Sequence, residues 1–152
     1  GKGAAARRAD RLRALFARLS TTSGADHDDL AQKVLFSLSQ MRSQGNERWL
    51  MEVAADPKYS VDVRKQAIFS AGQSGATTAD LVSLYGKVKE QEVKAQLVWV
   101  LSQQRDAAAI DKLIEIAKRD PDAEMRKKAI FWLGQSHDPR VKQLLLDIIN
   151  GA

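Results

Sequence analysis

Apolar residues recur along the chain in steps of three and four. Val63, Ala67, Ser70 or Ala71, and Ser74 follow this spacing in one stretch, Val93, Leu97, Val100 and Leu101 in a second, and Met125, Ala129, Trp132 and Leu133 in a third. Such spacing puts one apolar stripe on an α-helix. A second helical pattern follows each stretch after a polar gap. These second patterns are Trp49, Leu50 and Val53; Leu81, Leu84 and Tyr85; Ile110, Leu113, Ile114 and Ile116; and Val141, Leu144, Leu145 and Ile148. No hairpin turn flanked by alternating strands interrupts them. The pattern predicts an all-α chain built from helix pairs.

The pairs are copies of one another. Residues 30–40 (LAQKVLFSLSQ), 63–73 (VRKQAIFSAGQ), 93–103 (VKAQLVWVLSQ) and 125–135 (MRKKAIFWLGQ) align, each ending in a small residue plus glutamine. The glutamines Gln40, Gln73, Gln103 and Gln135 lie 33, 30 and 32 residues apart. Four positions before each stands an aromatic: Phe36, Phe69, Trp99 and Phe131. A fixed period of about 20–50 residues is the mark of a repeat array. The copies divide the chain into a segment 1–20 and an array 21–152, with repeats near 26–56, 57–88, 89–119 and 120–152.

The punctuation between helices agrees. All three prolines follow aspartate, at Asp56–Pro57, Asp120–Pro121 and Asp138–Pro139. Aspartate caps the free amides of a helix start and proline suits the first helical position. Thr77, Thr78 and Asp106 are further cap candidates. Gly45, Gly75, Gly86 and Gly151 are placed to end helices.

The stretches DVRKQAIFSAGQSG (62–75) and EMRKKAIFWLGQSHDPR (124–140) resemble the short HEAT-like repeats of bacterial proteins. The resemblance covers residues 26–150. The third copy departs from it with Lys94 and Ser102, and the first with Ala31 at the arginine position. Ankyrin and tetratricopeptide repeats share the period, but their signatures are absent. The resemblance implies a right-handed α-solenoid with the first helix of each unit in an outer layer and the second lining a concave face. It implies protein–protein recognition, and it implies that Arg64, Lys94 and Arg126 bond acidic residues of adjacent turns such as Asp62, Asp120 or Asp138. HEAT-like arrays also occur in phycobilin lyases and alkylpurine DNA glycosylases, which keeps a chromophore chaperone and a nucleic-acid-binding array as alternatives.

Charge narrows these. The net charge is +5, and residues 1–20 carry Lys2, Arg7, Arg8, Arg11, Arg13 and Arg18 against Asp10 alone. The array itself is therefore neutral. A nucleic-acid surface spreads its cations along a face, so the array argues against that partner. Residues 4–19 read as a basic amphipathic helix, with Leu12, Leu15, Phe16 and Leu19 on one stripe. It is either the end of a preceding repeat or a helix suited to an anionic membrane surface or nucleic acid, and the one segment through which membrane contact is expected. No apolar run approaches the roughly 20 residues that cross a bilayer. The chain starts at Gly1 without methionine, which reads as a piece of a longer protein.

Candidate chemistry is sparse. The chain has no cysteine, and its two histidines, His27 and His137, are far apart. No catalytic, metal or cofactor motif is present, so no catalytic, metal or cofactor residue is assigned. The acidic clusters at Asp26–Asp29 and Asp120–Glu124 suit helix N-termini. The four glutamines are expected to bond in a structural ladder joining loop backbones, the alternative being a polar binding track; the four aromatics are expected to pack sideways into neighbouring repeats, the alternative being an exposed strip that marks a partner site. The expected function is a non-catalytic scaffold holding a protein partner. Its candidate contacts on the second helices are Arg48, Glu52, Tyr85, Lys112, Glu115, Lys142 and Gln143.

Overall fold

The apolar stripes fold as helices throughout. The computed structural model describes residues 2–22, 24–41 and 46–151. Nine helices occur among them: α1 (Lys2–Thr21), α2 (Ala25–Gln40), α3 (Asn46–Ala55), α4 (Val61–Gln73), α5 (Thr78–Lys87), α6 (Gln91–Gln104), α7 (Ala107–Arg119), α8 (Ala123–Leu133) and α9 (Pro139–Ile149). There is no strand among the described residues. None of the helices is long and apolar enough to cross a membrane.

The helices stack in two rows as an α-solenoid. One row is α2–α4–α6–α8 and the other α3–α5–α7–α9. The core lies between them. The first row contributes Leu35, Leu38, Ile68, Leu97, Leu101, Met125 and Leu133, and the second Leu50, Leu81, Leu113 and Ile116, each no more than 2 % exposed. Truncating one such leucine to alanine costs about 2–5 kcal/mol. Helix α1 packs along α2 as intimately as α3 along α4 and α7 along α8. Its Phe16 is buried and meets Trp49 edge-on at 5.3 Å and Tyr59 at the same distance.

Neighbouring helices approach more closely in the α2–α4–α6–α8 row than in the other. Small residues permit this. A Cβ on Gly72 of α4 would stand 2.9 Å from Val100 Cγ1 of α6. Two linked rows with unequal spacing must bend toward the tighter one. The inner face is therefore formed by the first helices, not by the second helices that the resemblance implied.

The helix ends correct a second expectation. Asp138 caps α9 with Pro139 in the first turn, and Thr77 and Asp106 cap α5 and α7, as expected. Asp56 and Asp120 do not cap. Their carboxylates accept from the amides two residues on, Lys58 at 3.0 Å and Asp122 at 2.9 Å, which closes a local turn. The caps of α4 and α8 are instead Ser60 and Asp122. Gly75 and Gly151 follow helix ends with positive φ, whereas Gly86 lies within α5. Gly45 lies outside the described residues.

Candidate partner-binding face

The four glutamines do not form a ladder. All are exposed. Among the described residues, Gln40 and Gln103 reach only the neighbouring serine hydroxyls, at 3.4 and 3.2 Å. Repeats are tied together elsewhere, by residues at helix starts. Ser60 donates to Asp28 at 2.6 Å, Gln91 to Asp122 at 3.0 Å and Thr78 to Asp106 at 2.6 Å, each bond spanning about one repeat. A cap residue sits where adjacent helices begin side by side, so its side chain reaches both its own amides and the next cap. The glutamines sit at the opposite helix ends and point outward.

The arginines at the helix starts are structural. Arg64 is only 3 % exposed; its Nε donates to Ala54 O at 2.9 Å and its Nη1 meets Glu90. Arg126 donates to Asp120 O. Both thus satisfy a carbonyl left open at the end of the preceding helix. Lys94 stands over the Tyr85 ring at 5.4 Å. A backbone carbonyl, which sequence spacing does not reveal, is a partner of both arginines, and Arg64 also pairs with an acidic residue of an adjacent turn, Glu90, the kind of contact the resemblance implied.

Tyr85 is withdrawn from the candidate contacts. It is buried, and its hydroxyl donates to the buried carboxylate of Asp120. Burial, followed by that hydrogen bond, pushes the phenol above its ordinary range. The remaining candidates do not converge. Arg48 and Glu52 line a shallow groove with Asp80 and Lys87 between α3 and α5. Lys112 lies over Tyr85 at 5.3 Å and pairs with Glu115 at 3.4 Å. Lys142 is exposed on α9, where Gln143 donates to Asp147 at 2.8 Å. Of these charges, Lys112 and Glu115 are engaged with each other.

The inner row carries a pattern that the expected packing of the aromatics conceals. Phe36 and Phe131 are 49 % and 58 % exposed, while Phe69 and Trp99 are half-buried and stack on each other at 5.9 Å. Seven positions before each glutamine stand Lys33, Gln66, Gln96 and Lys128, and eleven before stand Asp29, Asp62, Glu92 and Glu124. Steps of four, three and four keep these positions on one helix face. None of the sixteen side chains is buried. Across four parallel-running helices they form a carboxylate row, a lysine–glutamine row, an aromatic row and a glutamine row. Two hollows open on this face, one around Phe69 with Asp62, Lys65 and Gln96, the other around Trp99 with Glu92, Glu124 and Lys128. The signal was present in the sequence as recurrence at non-core positions.

The basic segment is a helix whose apolar side is used by the core. Phe16 is buried, while Arg7, Arg8, Arg11 and Arg18 face solvent.

No curated protein and no solved structure matches the chain. Residues 78–152, from the first residue of α5 onward, match the family described as HEAT repeats. Repeats of this family generally mediate protein interactions and are typically non-catalytic. With helix pairs of the same kind continuing through the first half of the stack, this match over residues 78–152 supports a HEAT-like repeat protein.

Proposed function

We propose that the chain is a non-catalytic interaction scaffold that holds a protein partner on the inner α2–α4–α6–α8 face. One observation carries this reading: a carboxylate row and a glutamine row recur at exposed positions in register across four helices without bonding into a ladder, flanking aromatics of which Phe36 and Phe131 are exposed. Core packing explains recurrence at buried positions, but not at exposed ones. Exposed aromatics beside polar amides are the composition of an interface core. The same rows weigh against a nucleic-acid partner. Four carboxylates face Lys33, Lys65, Lys127 and Lys128, so the face carries no excess of cations.

The test is site-directed photo-crosslinking in the full chain. A photoreactive phenylalanine analogue at position 131 on α8 is expected to give a defined protein adduct. The same group at position 48, on the outer row, is expected to give none. Phe36→Ala with Phe131→Ala should weaken capture of that partner about tenfold or more, the effect of losing interface anchors. Adducts from position 48 alone, or capture indifferent to both phenylalanines, would move the site off this face.

A further inference from the structure

One interior junction of the stack is copied, residue by residue, on its open end. On α4, Arg64 meets Glu90 of α6, Phe69 stacks on Trp99 and Gly72 lies against Val100. Lys65 and Ile68 stand on the same helix stripe. The corresponding residues of α8 are Arg126, Lys127, Ile130, Phe131 and Gly134, the same five in the same order. No other two repeats agree at all five positions. We infer that the end of the stack at α8 and α9 takes one more helix of α6's kind, supplied by a partner polypeptide. That helix carries an acid at its start and an aromatic next to a β-branched residue about three turns later. This adds a surface to the scaffold reading above and does not depend on it.

The first argument is burial. Ile68 is fully buried, whereas Ile130 is partly exposed; Phe69 is half-buried, whereas Phe131 is exposed. A Cβ on Gly72 would stand 2.9 Å from Val100 of the next helix, but one on Gly134 would meet only carbonyl oxygens of its own helix, at 3.3 and 3.5 Å. The two surfaces are made of the same side chains, so what covers one is complementary to the other.

The second argument is α9. Helices α3 and α7 each pack most closely on the first helix of the following repeat, α4 and α8. Among the described residues α9 has no such helix beside it, and its Leu146, Ile148 and Ile149 are exposed. Ile148 and Ile130 line one hollow of about 650 Å³ between α8 and α9. In the interior, a first helix fills this place.

The third argument is charge. Lys118, Arg119, Arg126 and Lys127 line that hollow against Asp147 alone. Each of the last two first helices arrives with an acid at its cap: Glu90 is received by Arg64, and Asp122 by Gln91 at 3.0 Å. Arg126 stands where Arg64 does, and among the described residues its side chain bonds only Asp120 O of its own repeat. An acidic helix start complements such a hollow. A second copy has no such helix to give. Its α6 is already packed between α4 and α8, and on its α2 the helix α1 holds the place that α9 would need.

The experiment titrates the intact chain with a synthetic peptide of residues 88–104, the α6 sequence. Isolated helices of this length are marginal in water, so a lactam between Glu92 and position 96 (Gln96→Lys) holds the peptide helical. The readouts are calorimetry and backbone amide NMR shifts. The expected result is saturable binding with shifts at Arg126, Gly134 and Ile148. Glu90→Lys in the peptide should weaken binding at least about tenfold, the worth of a charge-assisted hydrogen bond, and Arg126→Glu in the chain should restore it. Gly134→Leu in the chain should also cost at least about tenfold, because it closes the approach. Gly134 is exposed with φ −61°, so the fold should survive, which a circular-dichroism melt checks. No binding, shifts centred on α4, or indifference to both Glu90→Lys and Gly134→Leu would overturn the inference. A dimer that sediments without peptide and is abolished by Gly134→Leu would give this end to a second copy and overturn the partner assignment. A crosslink at position 131 that persists in the Gly134→Leu chain would keep the inner-face reading standing should this one fall.

Discussion

Arg105 is the one described non-glycine residue with positive φ, at 60°. It follows α6 two positions after Gln103, and the same position after Gln73 is Gly75, at φ 94°. The chain must therefore turn left-handed where α6 ends, and in this repeat it does so with a Cβ in place. That conformation costs roughly 1 kcal/mol or more in a residue other than glycine. Arg105→Gly is expected to raise the melting temperature, by an amount corresponding to about 0.5–1 kcal/mol after the added freedom of the unfolded chain is deducted. Thermal unfolding checks it; a lower melting temperature would mean that the arginine side chain holds something the backbone argument omits. The glutamine beside it shows the limit of reading single residues. Recurrence of Gln40, Gln73, Gln103 and Gln135 is plain in the sequence, yet it fits an internal ladder and an exposed row equally well. Orientation settles it, and orientation depends on which side of the helix the neighbouring repeat covers. Tyr85 is the converse case. Its place at the surface or in the core is decided by Asp120, 35 residues away in the chain.

Between elements, the tight inner row depends on residues without bulk. Gly72 faces Val100 so closely that an added Cβ would stand 2.9 Å from Cγ1, and valine has little rotamer freedom with which to yield. Gly72→Ala gains helix propensity of about 1 kcal/mol but introduces overpacking of about 1–3 kcal/mol. The single substitution is expected to be destabilising. Val100→Ala also destabilises by itself, since Val100 is only 4 % exposed. Together they should cost less than their sum, with a favourable coupling of about 1 kcal/mol in a double-mutant cycle by chemical denaturation. Strict additivity would show that α4 and α6 slide apart freely, and the inner row would then not be held by this contact. The helices themselves were legible, because a 3.6-residue period leaves its trace in every repeat. Their caps were legible only in part. Asp138–Pro139 does start a helix, but Asp56–Pro57 and Asp120–Pro121 close turns ahead of one, and both uses satisfy the same local chemistry. The inner face was not legible, since it follows from the relative spacing of two rows, which no single repeat encodes.

In the whole molecule, each helix touches mainly its neighbours in the stack, so stability should be distributed as in a one-dimensional array. Helix α1 then acts on α2 and α3 and on little beyond them. Phe16 is 1 % exposed against Trp49 and Tyr59, and Arg13 lies over the Trp49 ring at 5.3 Å. Removing residues 1–20 uncovers that cluster. Amide exchange in a 21–152 chain is therefore expected to speed up at least about tenfold in α2 and α3, while α6 to α8 keep their protection within about threefold. A uniform loss of protection from α2 to α9 would instead mean that the repeats fold as one cooperative block.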